Sequence, residues 1–386
     1  MGELPRQADC IVVGGGIVGV ATALELQRAG VSVLLLEHGA LGNGVSGASL
    51  AALAAHALAR IEDLPVIAAA GRRWAQLAEE LDDIEYRRQG QLRLIADPEE
   101  VPSFAALVDE HRALGAPLEL LDADRLREVA PGLGPDAACA AVLSPDDASV
   151  QALRAVHAVA GAATRLGVEI RCGVAVTAIS DDAGGVEVTT ADGQRIAADR
   201  VVLAAGPWTA GLATGLGAVL PLEARRARCA ITSVLPPVLA QIASGVEIGG
   251  GLGIGEGYFQ IQQTRTGQLL FNTVVDGAIG DSGWWGPGVD DAFLVASSRT
   301  LARVVPASAE ARLMRSWAAV EAWTPDRRFL CGPLDGHPRV LVAAGDSGSG
   351  FLRAPLLGSL IADHVLGREP EVDPAQFAPD RFAATA

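Results

Sequence analysis

The residues of this chain best suited to chemistry at a phosphate are three glycines, spaced Gly14-x-Gly16-x-x-Gly19. They lie between an apolar run at residues 11–13 and a helical pattern at Val20, Leu24 and Leu26. Each type has a reason. Gly14 lets a strand turn sharply into a helix, Gly16 lets the backbone approach a pyrophosphate, and Gly19 lets the helix lie close on the strand. Unpaired N–H groups and the macrodipole at the helix N-terminus then favour the phosphates. A turn at Gly30 leads to a second apolar run, Val33-Leu34-Leu35-Leu36, which ends in Glu37, about where a carboxylate accepts from a ribose hydroxyl. The same carboxylate repels a 2′-phosphate, so NADP is disfavoured. Strand, helix, strand and acid together read as a β-α-β unit built for a dinucleotide.

Two more glycine loops follow strand-like runs. Val201-Val202-Leu203-Ala204-Ala205 stops at Gly206-Pro207-Trp208, and Val340-Leu341-Val342-Ala343-Ala344 stops at Gly345-Asp346-Ser347-Gly348-Ser349-Gly350, ahead of a helix from Pro355 to residue 366. A small-residue stretch, 42–51, leads from Glu37 into a helix and leaves backbone N–H groups and hydroxyls free to face a ligand. Nucleotide-binding segments thus stand at the start, middle and end of the chain, and a second, β-rich unit is inserted in pieces. The intervening elements read as a helix over 65–81, a strand over 91–95, a capped helix over 122–129 and a short strand over 140–143. An amphipathic helix over 150–166 comes next, then a hairpin at the Asp192-Gly193 turn. Strands over 228–234, 258–262 and 267–272 belong to the inserted unit.

Composition narrows the class. The chain has 386 residues, a formal charge of −16 and a pI of about 4.8, against nucleic acid or an anionic membrane as the main partner. All 30 basic residues are arginine, which excludes lysine Schiff-base chemistry, pyridoxal phosphate enzymes included. The five cysteines are scattered without a C-x-x-C pair and read as reduced thiols of a cytoplasmic protein. Glycines and Pro207 interrupt both long uncharged stretches, 38–59 and 201–222, so no membrane span is expected. No metal-ligand cluster and no nucleophilic triad stands out.

Assembled, these motifs resemble the glycine oxidase/D-amino acid oxidase (DAO) group of FAD-dependent amine oxidoreductases, nearest in pattern to the glycine oxidases. The resemblance runs almost end to end. Beyond the opening unit it rests on residues 42–56, Val202-Leu203-Ala204-Ala205-Gly206-Pro207-Trp208, Ser316-Trp317-Ala318 to Thr324-Pro325-Asp326, Gly332, and Ala343-Ala344-Gly345 to Ala354-Pro355. It implies an α/β (α+β two-domain) protein: a Rossmann-like FAD-binding domain over 1–85, 140–222 and 316–386, with an inserted antiparallel-sheet substrate domain over 86–139 and 223–315. It implies FAD held by Gly14, Gly16, Ile17, Val18, Gly19, Glu37 and His38 at the ADP half. Ser46, Ser49, Ala51 and Leu53 would run along the pyrophosphate and flavin, and Val176 would meet the adenine through its backbone. Ala205, Gly206 and Trp208 would line the middle, and Gly345, Ser347, Gly348, Gly350, Phe351 and Leu352 the pyrimidine end of the flavin. The implied reaction moves hydride from the carbon beside a neutral amine to flavin N5, giving an imine that hydrolyses.

The departures bear on substrate. Glycine oxidases carry an arginine that clamps the substrate carboxylate in a Trp-Ala-Gly-Leu-Arg-Pro segment; here it reads Trp317-Ala318-Ala319-Val320-Glu321-Ala322. A tyrosine of the family falls on Gln260, with Tyr258 two residues earlier on the same strand face. Asp346 and Gly348 replace a histidine-arginine pair, and Arg353 is the nearest candidate for a replacement charge. His56 coincides with a glycine oxidase histidine, with helix packing as its other reading. The cysteine that carries covalent flavin in sarcosine oxidases falls near Ala319, so non-covalent FAD is expected. Oxidase and dehydrogenase both stay open, with O2 or another electron acceptor, and so does a homo-oligomer. An N-carboxymethyl secondary amine releasing glyoxylate fits the altered clamp. The rivals are a flavin subunit of a multi-subunit amino acid dehydrogenase and a non-catalytic flavin binder. Trp284-Trp285 reads as a packed turn or an aromatic cover.

Overall fold

The structure, a computed structural model, describes residues 4–54, 56, 60–246, 258–273 and 288–385; Trp284 and Trp285 lie outside them. The apolar strand Gln7–Val13 takes the centre of the first sheet, parallel to Val33–Glu37 on one side and Arg195–Leu203 on the other. Glu169–Cys172 and His337–Ala344 extend the sheet, also parallel, and Leu330–Leu334 closes one edge antiparallel. Parallel strands are covered on both faces and therefore run apolar throughout. Cys10 and Val12 belong to one core, with the helices Ile17–Arg28, Leu64–Glu80, Ala152–Arg165 and Gly350–Leu366. Ile11 and Val13 belong to the other, against the hairpin Val176–Asp182 and Gly185–Thr190.

Arg195–Leu203 is one nine-residue strand where the sequence suggests two short ones. Gln7–Val13 pairs parallel along one side of it over 197–203, while on the other side Gly185–Thr190 pairs antiparallel over 195–198 and His337–Ala344 parallel over 201–203. The polar pair Asp199-Arg200 looks like a break but sits where one partner hands over to the next.

The second sheet orders Leu313–Trp323, Glu223–Val234, Gln268–Thr273, Tyr258–Gln263, Ile242–Val246, Gln91–Ile95, Ala140–Ser144 and Glu119–Asp122. All neighbours are antiparallel except Ile242–Val246 with Gln91–Ile95. Pairing places Ala140–Ser144 and all of Leu313–Trp323 in this sheet, although the sequence boundaries at 140 and 316 put most of those residues with the nucleotide unit. Strand alternation shows that a segment is extended, not which sheet it joins. One face packs Leu92, Phe259, Ile261 and Phe271 against Phe293 and Leu301 of the helix Asp291–Val304. The other face carries Gln91, Arg93, Ser144, Ser244, Tyr258 and Gln262, all buried, and looks toward the first unit.

The closing helix Gly350–Leu366 begins ahead of Pro355, where the sequence suggested its start. Proline inside a helix removes the N–H that would reach the carbonyl four residues back. Here that carbonyl belongs to Phe351, and the buried Trp74 indole donates to it at 2.7 Å. At Gly358 a Cβ would lie 2.7 Å from the Ala21 carbonyl oxygen, so the closing helix rests directly on the opening one.

Replacing Trp74 by Phe is expected to orphan the Phe351 carbonyl and to destabilise the protein by ~1–3 kcal/mol in urea denaturation. Pro355→Ala in that background restores the missing donor, so the double variant recovers most of the loss. Equal instability of both variants would show that the indole hydrogen bond does not substitute for the proline.

Candidate functional site

The glycine turn is built from backbone packed on backbone. Gly14 has φ +118°, and a Cβ there would lie 2.4 Å from the Ala204 carbonyl oxygen; one on Gly19 would lie 1.9 Å from the Gly14 carbonyl oxygen. Gly16 is the cap residue of the helix Ile17–Arg28 and supplies no side chain. The Ile17 N–H instead donates to the buried Ser46 Oγ at 3.0 Å, which draws the small-residue loop onto the helix start beside Val18. Glu37, at the tip of the second strand, accepts from the Gly15 and Gly39 N–H groups at 2.6 Å each. A glycine turn, a helix start without acidic side chains in its first turn and a carboxylate beyond it fit the ADP half of FAD. His38 is exposed next to this carboxylate, and Val176 opens a strand on the neighbouring hairpin.

The loop that runs on from Ser46 is held in an extended path. Ala51 is fully buried at φ +52°, and its N–H donates to Ser49 Oγ at 2.9 Å. Leu53 pairs with Ala148 in a small two-stranded sheet. From the second sheet, Trp317 Nε1 donates to the Ala48 carbonyl at 2.9 Å and Gln262 Nε2 to the Leu50 carbonyl at 2.7 Å. These two bonds join the loop to the polar sheet face; Gln262 had no place in the sequence reading, because strand alternation does not reveal a partner across a fold. Ala205 precedes the turn Gly206–Trp208 with Gly206 at φ +54°, where the strand Arg195–Leu203 ends.

The last glycine loop holds three left-handed residues, Gly345 (φ +75°), Ser347 (φ +50°) and Gly348 (φ +86°). Serine adopts that conformation because both its ends are tied: its N–H donates to the Ala322 carbonyl at 3.1 Å, and its Oγ accepts from Thr324 N–H at 3.1 Å. A Cβ on Gly350 would overlap Asp346 Oδ2 at 1.6 Å, so the Asp346 carboxylate lies over the start of the closing helix, next to buried Phe351 and Leu352.

Glu321 meets this loop at the end of Leu313–Trp323, its Oε2 3.7 Å from where a Gly348 Cβ would stand. Trp323 Nε1 donates to Glu321 Oε2 at 2.9 Å, and the Trp323 ring has the guanidinium carbons of Arg225 and Arg327 4.6 and 5.8 Å from its centre. Glu321 and Asp346 lie deep in the protein yet keep some accessible surface. Burial, reinforced by the neighbouring Asp346 charge, pushes Glu321 up to about 7 despite the Trp323 bond and Arg225. Burial likewise lifts Asp346 to about 6, against the pull of Arg353.

The other expected substrate residues separate into two groups. Tyr258 and Gln260 share the polar sheet face; Tyr258 is buried, its hydroxyl bonded to Ser244, while Gln260 lies opposite Ser244. Arg353 is buried, not a surface arginine: its guanidinium carbon is 5.7 Å from the Phe329 ring centre and feels Asp63 and Asp346, and Nε and Nη1 have no hydrogen-bond partner. His56 bonds through Nδ1 to Asp147 Oδ1 at 2.5 Å; the sequence reading did not include Asp147, whose only signal was a polar turn, Ser144-Pro145-Asp146-Asp147. Among the described residues no group of three His, Cys, Asp or Glu could hold a metal, and no helix is long and apolar enough to cross a membrane.

Glu321 is expected to give a protonated-carboxyl infrared band that disappears as the pH passes about 7, and Glu321→Gln is expected to lack it. The sign for stability follows. Between the ordinary value of 4.5 and about 7 the folded state holds a proton that the unfolded chain has released, so this group's contribution falls as pH rises. Denaturation midpoints of Glu321→Gln should therefore fall less across that interval; an unchanged slope would place the carboxyl in water.

Comparison with known proteins agrees with this geometry. The chain is 27% identical over 382 residues to glycine oxidase of Geobacillus kaustophilus (strain HTA426), covering 97% of each chain. It is 29% identical to 4-methylaminobutanoate oxidase (formaldehyde-forming) of Paenarthrobacter nicotinovorans, covering 98% of this chain but 46% of that protein. The crystal structure of glycine oxidase from Geobacillus kaustophilus superposes with a TM-score of 0.88 at 25% identity, over 98% of this chain and 99% of the other. The FAD dependent oxidoreductase family, DAO, matches residues 9–364, and the chain belongs to it: it is an FAD-dependent enzyme of the group that acts on amino acids and amines.

Proposed function

We propose that this enzyme oxidises an amine or N-substituted amino acid at the carbon beside nitrogen, with Glu321 facing the substrate. Bound FAD supplies the two-electron acceptor for hydride from that carbon. Residues 46–53 and 345–352 hold its flavin end, and the buried face with Tyr258 and Gln260 closes the space above. The chain's own task is to orient the amine and exclude water, since hydride transfer depends on position.

The observation that carries this reading is the buried Glu321 carboxylate beside Gly348, where the family resemblance puts a carboxylate-clamping arginine. A carboxylate at that place disfavours the carboxylate of glycine and favours a neutral or cationic group on the substrate. The buried Arg353 charge is shared between Asp63 and Asp346, which leaves the substrate's own acid to bind elsewhere. A secondary amine meets these conditions, and an N-carboxymethyl amine would release glyoxylate after imine hydrolysis. The name of the relative 4-methylaminobutanoate oxidase supports a secondary-amine class. That relative's greater length also favours a second reading, in which this chain is the flavin subunit of a multi-subunit amino acid dehydrogenase and passes electrons to a partner in place of O2. Ala319, at the place of the covalent cysteine, supports non-covalent FAD.

An anaerobic panel of amines and N-substituted amino acids should bleach the flavin of the holoenzyme. Glu321→Arg should move the preference from cationic or neutral amines toward glycine-like acids by at least about tenfold, or about 1.4 kcal/mol. An unchanged preference means Glu321 does not face substrate, and no bleaching by any amine removes the proposal. Reduced enzyme that reoxidises in air is an oxidase; one that does not favours the dehydrogenase subunit. Acid precipitation is expected to leave all of the yellow colour in the supernatant, and colour in the pellet would show a covalent bond.

A further inference from the structure

The polar face of the second sheet carries a further buried cluster, several strands away from Glu321. The strand Ala52–Leu53 pairs with Ala148–Ser149, and this pairing sets His56 beside Asp147. Asp147 is fully buried, and its backbone carbonyl accepts from Gly90 N–H at 2.8 Å, which anchors the turn to the strand Gln91–Ile95. From the sheet side, Tyr258 feels the Asp147 charge, and its hydroxyl bonds to Ser244, which also accepts from Gln91 Nε2 at 2.9 Å. Gln91 stands opposite Ser144 on the adjoining strand. Three atoms of this cluster, Asp147 Oδ2, Gln91 Oε1 and Ser144 Oγ, are buried without a hydrogen-bond partner. A buried polar atom without a partner is costly, and three in one buried cluster point to a ligand that completes them.

Two of the three are acceptors, so the missing partner is a donor; an amine N–H is one. The ring of His56 is fixed as well. Asp147 Oδ1 accepts from Nδ1–H, which in the neutral ring leaves the lone pair on Nε2. The charged groups acting on His56 are Asp147 and, in the same turn, Asp146, itself ion-paired with Arg88. Burial alone would lower the imidazole, but the Asp147 bond and both carboxylates leave it raised above its ordinary 6.5.

We propose that His56 is a further catalytic residue of this reaction, the acceptor of the proton that a substrate ammonium sheds before its C–H bond is broken. This rests on the amine reading above. The ammonium N–H bond breaks, a bond from that proton to Nε2 forms, and the electron pair stays on nitrogen, the form of an amine able to give up hydride. The imidazolium is balanced by Asp147, and Asp147 Oδ2 or Gln91 Oε1 accepts the one N–H left on a neutral secondary amine. The pH dependence has a definite sign. The acceptor must be neutral, so flavin reduction rises with pH through the raised value and levels above it.

The test is stopped-flow anaerobic reduction of the holoenzyme by an amine that bleaches it, across about pH 6 to 9, with flavin content and circular dichroism as checks on folding. In the native enzyme the rate should rise to a plateau. His56→Gln should lower that plateau about 10²-fold or more and remove the rising limb. Asp147→Asn should move the limb to lower pH, as loss of the hydrogen bond and charge lowers the imidazole. A native rate and limb in His56→Gln would overturn the proposal. A second readout is independent of turnover: nitrogen-15 NMR of histidine-labelled holoenzyme should show His56 protonated at Nδ1 above its titration, with a lower midpoint in Asp147→Asn. A proton on Nε2 would overturn it too. Should no amine bleach the flavin, the amine reading fails and the acceptor role falls with it, while the NMR result still decides whether the Asp147 bond holds the ring.

Discussion

Direct contact of main chain with main chain at the start of the first helix is the constraint on which the rest of the structure depends. Gly14 lies against the carbonyl of Ala204, Gly19 against the carbonyl of Gly14, and Gly358 of the closing helix against Ala21. A methyl group at any of these points would push apart strands and helices that come from the two ends and the middle of the chain. Because the opening, middle and closing segments meet there without side chains, the three glycine loops can face one elongated ligand.

A second constraint is electrostatic. The second sheet is apolar on one face and buries polar groups on the other, an arrangement that is costly unless the buried groups find partners. Some find them across the fold, as Trp317 and Gln262 bond to the carbonyls of Ala48 and Leu50, and some within the sheet, as Tyr258 bonds to Ser244 on the adjacent strand. Others do not, and the carboxyls of Glu321 and Asp346 are raised toward neutrality. Desolvation does both jobs. It lifts the carboxyls and makes the unpaired donors and acceptors seek a ligand.

Much of the scaffold was legible in the residues. The strand Gln91–Ile95 and the helix Ala123–Val129, capped by Asp122, have local causes: alternation in the first, a side-chain cap on Asp124 and Arg125 N–H groups in the second. Elements with distant causes were less legible. The closing helix runs through Pro355 because Trp74, far away in sequence, serves the carbonyl that proline leaves unpaired. The strand Arg195–Leu203 continues past Asp199 because on one side its partner changes there from Gly185–Thr190 to His337–Ala344.

By itself the sequence determined the dinucleotide unit, the family resemblance and the loss of the carboxylate clamp at Glu321, since each depends on residue type and short spacing. It also ruled out lysine chemistry through composition. Only the tertiary structure decided how deeply Glu321 and Asp346 are buried, that Arg353 lies inside, and that His56 meets Asp147. The physical reason is that a charge is set by its surroundings. Those surroundings are assembled from residues scattered along the whole chain, which no local pattern brings together.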